Sequence, residues 1–523
     1  LFPDEEGNVW ESEQVRKVQR LLEQLGDPET VLSGLDPDKI VLSTRDVVSI
    51  PNELIDELLS AVRNNESIQR LVVHVHHSES WSSWSYKHDM LRALGSMPQL
   101  TAVSLSGNDK VTDACAILER ANTRLLQLEL SLELTTDQEA TDLSTHIAQC
   151  VNLQSIMIRV SRQHERSPTL FAALSALSSL ENLHLSGDEQ DVSSVENNQQ
   201  LLVPVDGLRH LLRIPNLKSL SLHAFHLDHD HVRIFTTGMP SSLSAISLTE
   251  ISSDDGVEQV IESVCRQCTR LESLVLDAIR CVDPARIYRA IRDMLALDTC
   301  RLVSIHVGKL WESCVMLDAD WSFLKILQQN TQGLPATMTS VKFHISLTAL
   351  CRGQDSTTLL QPLARELKIN RTLQNVKVIV DKENFDPLDP FLKMDDLKQV
   401  VHAMQQNYAI MRIQFDAEHS MATAIDEMAT KAIDCYCELN RAGRSRLLLS
   451  GVLDRDSNVE ILAKVSKNLD ALFVYLLDNP QMCGKDILSR GATMDDWLQM
   501  LHGAAKSCSG RKKRRRSDVQ PLA

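Results

Sequence analysis

The sequence is poor in aromatic residues and lacks any long hydrophobic run. Only 4% of its 523 residues are aromatic although 43% are hydrophobic, which is typical of a core built from small aliphatic layers. No stretch approaches the about 18 consecutive apolar residues of a membrane-spanning helix, so we expect no membrane span. The first residues, Leu1–Glu6, also lack the basic and apolar regions of a secretory signal. These absences predict an intracellular protein, nuclear or cytoplasmic.

Chemistry-bearing motifs are scarce as well. The twelve cysteines are scattered, and the one C-x-x-C pair, Cys265 and Cys268, has no second pair or histidines at zinc-ligand spacing. We therefore expect free thiols in a reducing compartment. The sequence contains no G-x-S-x-G, G-x-x-x-x-G-K-S/T or H-E-x-x-H motif. The expectation is a protein without catalytic residues, cofactor or metal.

Positive charge is scarce except at one end of the chain. The chain carries 54 basic and 70 acidic residues, a net charge of −16, and six of the basic residues are consecutive. Without those six, 48 basic residues stand against 70 acidic ones, a net charge of −22. Because affinity for nucleic acid comes mainly from Lys and Arg, we expect no sequence-specific nucleic-acid binding.

The six consecutive cations predict an accessible tail, because a folded site would concentrate their mutual repulsion. We expect residues 509–523 to be disordered and interpret the run as a nuclear import signal whose partner is an import receptor. A phosphate-binding tail, a contact with acidic lipid and docking on the acidic body are the alternatives. Phosphorylation of the adjacent Ser517 would weaken each of these contacts. The proposed signal comprises Arg511, Lys512, Lys513, Arg514, Arg515 and Arg516.

What the sequence does contain is a repeated apolar formula. Its clearest copy is L-x-x-L-x-L-x-x-N at Leu100–Asn108, and successive copies start roughly 25 to 37 residues apart. This period predicts a solenoid with one strand and one helix per repeat. The other copies begin at Ile68, Leu125, Leu153, Leu180, Leu217, Leu243, Leu271, Leu302, Met338, Leu373 and Ile410.

The formula divides the chain into regions. We predict an N-terminal cap over residues 1–65, a solenoid of about twelve repeats over 66–418, and a helical C-terminal cap over 419–508 before the tail. Apolar periodicity predicts the elements of the two caps. They are the strand Ile40–Leu42 and the helices Val9–Leu25, Pro51–Leu59, Ala424–Glu438, Val459–Leu477 and Met494–Leu501.

Connections between elements carry their own signals. Three turns place an asparagine three residues before the strand, at Asn65, Asn370 and Asn407. Because asparagine tolerates left-handed backbone, we predict left-handed helix-to-strand turns at these positions. A longer insertion, Trp311–Asp320, is expected to be a surface loop.

The formula over residues 66–418 resembles the leucine-rich repeat superfamily, of the ribonuclease-inhibitor-like kind. The resemblance implies an α/β solenoid with a curved parallel sheet on its concave side and helices on its convex side. It also implies partner binding through the sheet, without catalysis. Three repeats depart from the family's asparagine ladder and hold Phe225, Ile251 or Ile279 in that slot. The stretch Glu438–Arg444, with Asn479-Pro480, is similar to uncharacterised leucine-rich repeat proteins of microalgae, diatoms especially.

The repeat frame predicts which side chains face a partner. With the first apolar residue as position 1, positions 4 and 6 point into the core and positions 5 and 7 to the concave face. That face is mostly small and polar, which predicts a polar protein or peptide ligand. Its candidate partner-binding residues are His74, Ser104, Glu129, Arg159, His184, Ser221, His223, Asp277, His306, Lys342, His344, Lys377 and Asp416.

Histidines on this face suggest two kinds of chemistry. Their ionisation near neutral pH would make partner affinity pH-dependent, unless they are merely exposed strand residues. A denser group, His223, His226, His229 and His231, has metal-ligating side chains. The repeat frame spreads these four over a strand, a turn and a helix, so we expect no metal site.

Trp81, Trp84 and Tyr86 follow the first repeat strand and form the one aromatic cluster of this region. Clustered aromatic residues are typical interface anchors. Packing over the N-terminal cap is an equal alternative, and the sequence does not choose between the two.

We interpret the chain as a non-enzymatic scaffold that binds a protein or peptide on its concave face. The alternative is a substrate-recognition subunit of a ubiquitin ligase, because Ile50–Ile55 is similar to the opening of an F-box. The same segment, however, leads into the first repeat as its helix. A GTPase-activating solenoid is the lesser alternative, with Arg441 and Arg444 as finger arginines; carbonyl capping by these arginines is the competing interpretation.

Overall fold

In a computed structural model, the chain folds into two compact units, Leu1–Met316 and Leu317–Ala523. It describes residues 39–43, 52–74, 84–109, 111–132, 136–159, 168–187, 201–253, 256–312, 315–316, 323, 326–327, 333–346, 360–381, 394–417, 427–444, 461, 464–465 and 468–478.

The first unit alternates helices with strands. Its helices are α1 (Asn52–Asn64), α2 (Lys87–Gly95), α3 (Val111–Ala121), α4 (Asp137–Ala148), α5 (Pro168–Ser175), α6 (Val205–Leu211), α7 (His229–Gly238), α8 (Val257–Gln267) and α9 (Pro284–Leu295). Its strands are β1 (Lys39–Ser43), β2 (Arg70–His74), β3 (Ala102–Asp109), β4 (Gln127–Leu132), β5 (Ser155–Arg159), β6 (Asn182–Ser186), β7 (Leu201–Leu202), β8 (Ser219–His223), β9 (Phe225–Leu227), β10 (Ala245–Thr249), β11 (Ser252–Ser253), β12 (Ser273–Asp277), β13 (Ile279–Cys281), β14 (Ser304–Val307), β15 (Leu310–Glu312) and β16 (Val315–Met316).

One parallel sheet contains a strand from each repeat of the first unit. Its order is β1-β2-β3-β4-β5-β6-β8-β10-β12-β14, so each strand lies beside the strand of the next repeat. A parallel neighbour requires a crossover connection, which the intervening helices supply. The fold is an α/β solenoid of the leucine-rich-repeat class, as the sequence predicted.

The core of each repeat comes from alternate strand residues. In β3, Val103 and Leu105 are each 2% exposed, whereas Ser104 between them is half-buried. Side chains of successive strand residues point to opposite faces, so one face packs against the helices and the other is open. Helices contribute apolar residues at helical spacing, as with Val260 and Val264 of α8. The predicted alternation is therefore confirmed.

The N-terminal region supplies more of the sheet than its description as a cap suggests. The predicted strand Ile40–Leu42 is confirmed as β1, which pairs in parallel with β2 and extends the sheet by one strand. The predicted helix Pro51–Leu59 is confirmed as α1. The predicted helix Val9–Leu25 lies outside the described residues.

The prediction of left-handed asparagine turns was wrong. Asn370 has φ −74° and ψ 130°, and Asn65 and Asn407 are also absent from the residues with positive φ. The asparagine side chain stabilises each turn instead, because its Oδ1 accepts backbone N–H groups two and three residues later. Asn65 Oδ1, for example, accepts the N–H groups of Ser67 at 3.0 Å and Ile68 at 2.8 Å.

Left-handed backbone occurs at the opposite end of the strands. Ala224, Glu250 and Ala278, at position 8 of three successive repeats, have φ of 62°, 54° and 52°. The N–H of Ala224 donates to the carbonyl of Thr249 at 2.9 Å, and the N–H of Glu250 to that of Asp277 at 2.9 Å. Backbone hydrogen bonds between repeats therefore occupy the region where the resemblance implies an asparagine ladder.

The apolar residues that replace the ladder asparagine lead into short extra strands. Phe225, Ile251 and Ile279 are 1%, 0% and 0% exposed. Here β7, β9 and β11 form one small sheet, and β13, β15 and β16 form another. The predicted surface loop Trp311–Asp320 is corrected at its start, because Trp311 lies in β15 and pairs with Arg280 of β13.

The second unit repeats the same pattern over fewer described strands. Strands β17 (Ser340–Ser346), β18 (Asn375–Asp381) and β19 (Arg412–Ala417) are parallel and in register. The helices are α10 (Gln361–Ile369), α11 (Met394–Gln406), α12 (Glu427–Arg441) and α13 (Leu469–Asp478). The predicted helix Ala424–Glu438 is confirmed as α12. The predicted helix Val459–Leu477 is confirmed from Leu469 onward as α13, which ends one residue later, at Asp478. The predicted helix Met494–Leu501 lies outside the described residues.

An asparagine ladder does exist in this unit, at the turns before β18 and β19 and in the last turn of α12. Asn407 Nδ2 donates to the carbonyl of Asn370 at 2.7 Å, and Asn440 Nδ2 donates to that of Ile410 at 2.7 Å. All three asparagines are buried. Each repeat is thereby linked to the one before it through an amide that would be costly to leave unpaired. Across the described residues, no helix is long and apolar enough to cross a membrane.

Candidate partner-binding face

The side of the parallel sheet that is not packed against helices is here called the open face. In the first unit it presents two in-register rows of side chains, one from position 5 and one from position 7 of each repeat. Position 5 carries Val72, Ser104, Glu129, Met157, His184, Ser221, Ser247, Val275 and His306. Position 7 carries His74, Ser106, Ser131, Arg159, Ser186, His223, Thr249 and Asp277.

These rows bring together the candidate residues of the first unit. His74 and Glu129 are exposed, and the other candidates of this unit are half-buried. The sequence frame left out one contributor, because Val41 of β1 pairs with Val72 and is 48% exposed. The open face is therefore one strand wider than the repeat formula indicates.

Histidines of the open face pair with serines of the next strand. His74 Nδ1 lies 2.7 Å from Ser106 Oγ, and His184 Nδ1 lies 2.7 Å from Ser221 Oγ. When the serine hydroxyl donates to Nδ1 of a neutral imidazole, the ring proton resides on Nε2. Ser106 was missed as a candidate, although its position opposite His74 follows from the common register.

The centre of the open face combines groups of both charges. The pKa of His184 is lowered from its usual value, mainly by burial and then by the neighbouring His223. Arg159 acts in the same direction, and Glu129 opposes it. His184 is consequently neutral at pH 7 and takes up a proton only in more acidic solution. The side chains there offer one carboxylate, one guanidinium and neutral imidazole as hydrogen-bonding groups.

Two further candidates of the first unit lie near the other end of its sheet. His306 Nε2 is 3.7 Å from Asp277 Oδ2, and Asp277 Oδ1 accepts the backbone N–H of Lys309 at 3.1 Å. Both side chains are half-buried. Asp277 is thus committed in part to holding the turn after β14.

The open face of the second unit carries the remaining candidates. Lys342 and His344 of β17 lie beside Lys377 and Ile379 of β18 in the strand register. Lys377 Nζ forms an ion pair with Asp416 Oδ2 of β19 at 2.6 Å, with the two side chains 37% and 43% exposed. Such an exposed pair contributes little to stability and leaves both groups accessible to a partner.

The aromatic cluster is only partly within the described residues. Trp84 and Tyr86 have ring centroids 6.1 Å apart and are both half-buried, and Tyr86 immediately precedes α2. Trp81 lies outside the described residues. Both interpretations of the cluster, interface anchor and packing on the cap, stay predictions.

The dense histidine group is divided among separate partners. His226 Nδ1 is 2.8 Å from Ser252 Oγ. His231, 1% exposed, has Nδ1 at 2.7 Å from Asp228 Oδ1 and Nε2 hydrogen-bonded to the Val203 carbonyl. Asp228 and His231 form a capping box at the start of α7, where the hydrogen bonds they make lower the pKa of Asp228.

Arg444 serves as a cap for another helix. It is 4% exposed, and its Nη1 and Nη2 donate to the carbonyls of Met404 at 3.3 Å and Gln405 at 2.8 Å, in the last turn of α11. The guanidinium carbon also lies 4.4 Å from the ring centroid of Tyr408. The carbonyl-capping interpretation of Arg444 is confirmed. The tail Arg511–Arg516 lies outside the described residues.

Comparison with known proteins adds little to this geometry. No protein-family model matches the chain, and no curated protein matches it. The yeast Rad7–Elc1 complex is similar in structure, with 13% identity and a TM-score of 0.36 over 79% of this chain and 94% of that one. The leucine-rich repeat-containing protein LegL7 from Legionella pneumophila is similar with 11% identity and a TM-score of 0.33, over 70% of this chain and 97% of that one.

Proposed function

We propose that the chain is a non-enzymatic scaffold that binds a protein or peptide partner on its open face. The observation that carries the proposal is the pair of in-register rows in the first unit. Ten parallel strands form one surface without helices over it, and small polar and ionisable side chains predominate there over the apolar Val41, Val72, Met157 and Val275. A leucine-rich repeat solenoid of this kind offers a surface, and its nature is set by the residues at positions 5 and 7.

The chemistry of the face favours a polar ligand. Glu129 and Arg159 offer opposite charges on neighbouring strands, and the His184 imidazole, hydrogen-bonded to Ser221 through Nδ1, adds a neutral polar group. Serines around them leave room for a partner backbone or side chain. Phe, Tyr and Trp are absent from both rows of this unit, which favours a polar peptide over stacked bases or sugars.

The test compares two double variants of the full chain. Ser104→Arg with Glu129→Arg places two large cations on the open face, and Glu57→Arg with Ser60→Arg makes the same change on the exposed surface of α1. Affinity capture from cells is quantified for wild type and both variants. A partner retained by the α1 variant and lost by the open-face variant supports the proposal. If every captured protein is retained by both variants, the proposal is wrong.

The ubiquitin-ligase alternative depends on the segment Ile50–Ile55. In the structure this segment leads into α1, whose Ile55, Leu58 and Val62 are 0%, 1% and 1% exposed. An apolar helix face already buried in its own repeat is poorly placed to dock an adaptor, which favours the scaffold. A pull-down with the ligase adaptor distinguishes the two, because the alternative requires binding and the scaffold does not.

A further inference from the structure

A groove of about 680 Å³ follows the edge of the first unit's sheet at which strands β8, β10, β12 and β14 begin. It lies off the open face, because its residues come from the turns that precede the strands. Four successive repeats contribute to it. We name it the edge groove and define it by Lys218, Thr269, Arg270, Glu272, Thr299 and Arg301.

Some polar groups of the edge groove are already engaged. Lys218 Nζ forms an ion pair with Glu181 Oε1 at 2.7 Å. Ser242, which also lines the groove, donates its hydroxyl to the Leu217 carbonyl at 2.8 Å. These contacts hold the rim of the groove and reduce what the groups can offer to a ligand.

The two arginines differ from these groups. Arg270 and Arg301 are exposed, and neither makes a side-chain hydrogen bond or ion pair within the described part of the chain. Thr269 and Thr299 beside them are exposed too, with hydroxyls that have no partner among the described residues. The groove therefore presents two guanidinium groups and two hydroxyls as free donors.

The spacing of the arginines is set by the repeat. Arg270 and Arg301 each lie three residues before Ser273 and Ser304, which are paired in the sheet register. Neighbouring strands are about 4.8 Å apart, so the two side chains start close together. Like charges on neighbouring strands repel each other, and an anion bound between the two guanidinium groups would relieve that repulsion.

We propose that the edge groove binds a phosphoryl group, either as free phosphate or on a phosphoserine of a peptide. Two guanidinium forks need more acceptor oxygens than one carboxylate has, whereas a phosphoryl group presents three or more. The threonine hydroxyls add donors on the same side. Glu272 also lines the groove, and its negative charge lowers the affinity for a phosphoryl group. Removal of that charge should therefore raise the affinity.

The test measures fluorescence anisotropy of a labelled Gly/Ser peptide carrying one phosphoserine, with the unphosphorylated peptide as reference. The full chain is used throughout, so the basic tail adds the same nonspecific attraction to every variant. Arg270→Gln with Arg301→Gln is compared with Arg63→Gln and Arg233→Gln, which remove the same charge from exposed helix positions. Inorganic phosphate is added as a competitor to separate a free anion from a peptide-borne one.

We expect the groove variant to weaken phosphopeptide binding about tenfold or more, and the helix variant to leave it within about twofold. Glu272→Gln should tighten binding, because it removes the one opposing carboxylate of the groove. Full competition by millimolar phosphate would identify the free anion as sufficient, and weak competition would identify the peptide. Equal binding of both peptides, or equal loss in both arginine variants, would overturn the proposal. Neither result would affect the open-face proposal, whose variants lie elsewhere.

Discussion

Arg444 illustrates how a single charged residue is stabilised inside this fold. Its guanidinium lies at the carbonyl end of α11, where the helix dipole is negative. The guanidinium carbon is 4.4 Å from the ring centroid of Tyr408 and 4.9 Å from that of Tyr436. Gly443 directly before it has φ 105°, a conformation that glycine adopts without strain. The arginine thus joins two repeats of the second unit and is unavailable as a catalytic finger.

We predict that Arg444→Lys lowers the free energy of unfolding of the second unit by about 2 kcal/mol. Lysine keeps the charge, but it loses the planar fork that reaches two carbonyls and the contact with the rings. Hydrogen exchange of the β19 amides measures the change. Arg441→Lys serves as the control, because exposed Arg441 donates to the Cys437 carbonyl of its own helix and caps no other helix among the described residues. Equal effects of the two changes would contradict the capping role.

Glu366 of α10 is a buried carboxyl whose ionised form is disfavoured by its surroundings. It is 1% exposed, its Oε2 accepts the N–H of Leu334 at 3.1 Å, and its Oε1 lies 3.6 Å from Arg365 Nη2. Burial raises the pKa of this carboxyl more than the hydrogen bond and Arg365 lower it. The folded state therefore favours the protonated acid relative to the unfolded chain.

The pKa of Glu366 makes the stability of the second unit depend on pH. Because the folded pKa of Glu366 is the higher one, stability is greatest below the unfolded pKa and declines as pH rises through the folded pKa. Glu366→Gln keeps an acceptor for Leu334 and removes the ionisation. We expect the variant to gain on wild type as pH rises from 4 to 8, measured by hydrogen exchange in α10. A constant difference across that range would show that Glu366 does not cause the dependence.

At the scale of elements, α2 and α3 are joined by two ion pairs of different kinds. Lys87 Nζ and Asp113 Oδ1 are 2.7 Å apart, and the two side chains are only 8% and 4% exposed. Arg92 Nε and Glu119 Oε2 join the same helices at 3.4 Å with side chains 50% and 41% exposed. The two pairs join the same helices and differ in distance and in exposure to solvent, so a comparison between them tests the effect of burial.

We predict that Asp113→Ala destabilises the first unit by about 3–5 kcal/mol, because it leaves a buried ammonium uncompensated. Glu119→Ala should cost about 0–1 kcal/mol. Replacing both buried partners, Lys87→Met with Asp113→Leu, should recover most of the loss. Urea unfolding of the four proteins measures these differences. If the double variant is as unstable as Asp113→Ala, the cost lies in packing instead of charge.

The elements also show what local sequence can predict. Buried Val103 and Leu105 around Ser104 were predictable because a strand alternates with a period of two within its own residues. The left-handed turn at Ala224 was not, because it depends on a hydrogen bond to the Thr249 carbonyl in the next repeat.

The candidate site divides in the same way. Most of the open face follows from the repeat frame, since equivalent positions of successive strands pair in register. The edge-groove residues Arg270 and Arg301 were missed because they precede the strand formula, where no periodicity constrains the residue type. Their placement in one groove depends on the pairing of β12 with β14, which sets Ser273 beside Ser304.

At the scale of the whole molecule, the basic run Arg511–Arg516 is the feature expected to determine whether the protein enters the nucleus. We predict that deletion of Arg511–Arg516 moves the protein from nucleus to cytoplasm, as imaged with a fluorescent fusion of the full chain. Replacing the six residues with glutamine is the matched control for length. If the wild type and both variants distribute alike, the tail is an electrostatic contact of another kind.

The left-handed backbone at Ala224, Glu250 and Ala278 restricts which residues evolution can place there. A β-branched residue is unfavourable at positions 224, 250 and 278, whereas glycine or asparagine fits each of them. Each is followed by a buried apolar residue, Phe225, Ile251 or Ile279. Descendants of the same ancestral gene should therefore keep a residue that is not β-branched before an apolar one at the end of these strands. A search profile weighted on that pair would find distant homologues that leucine spacing alone overlooks.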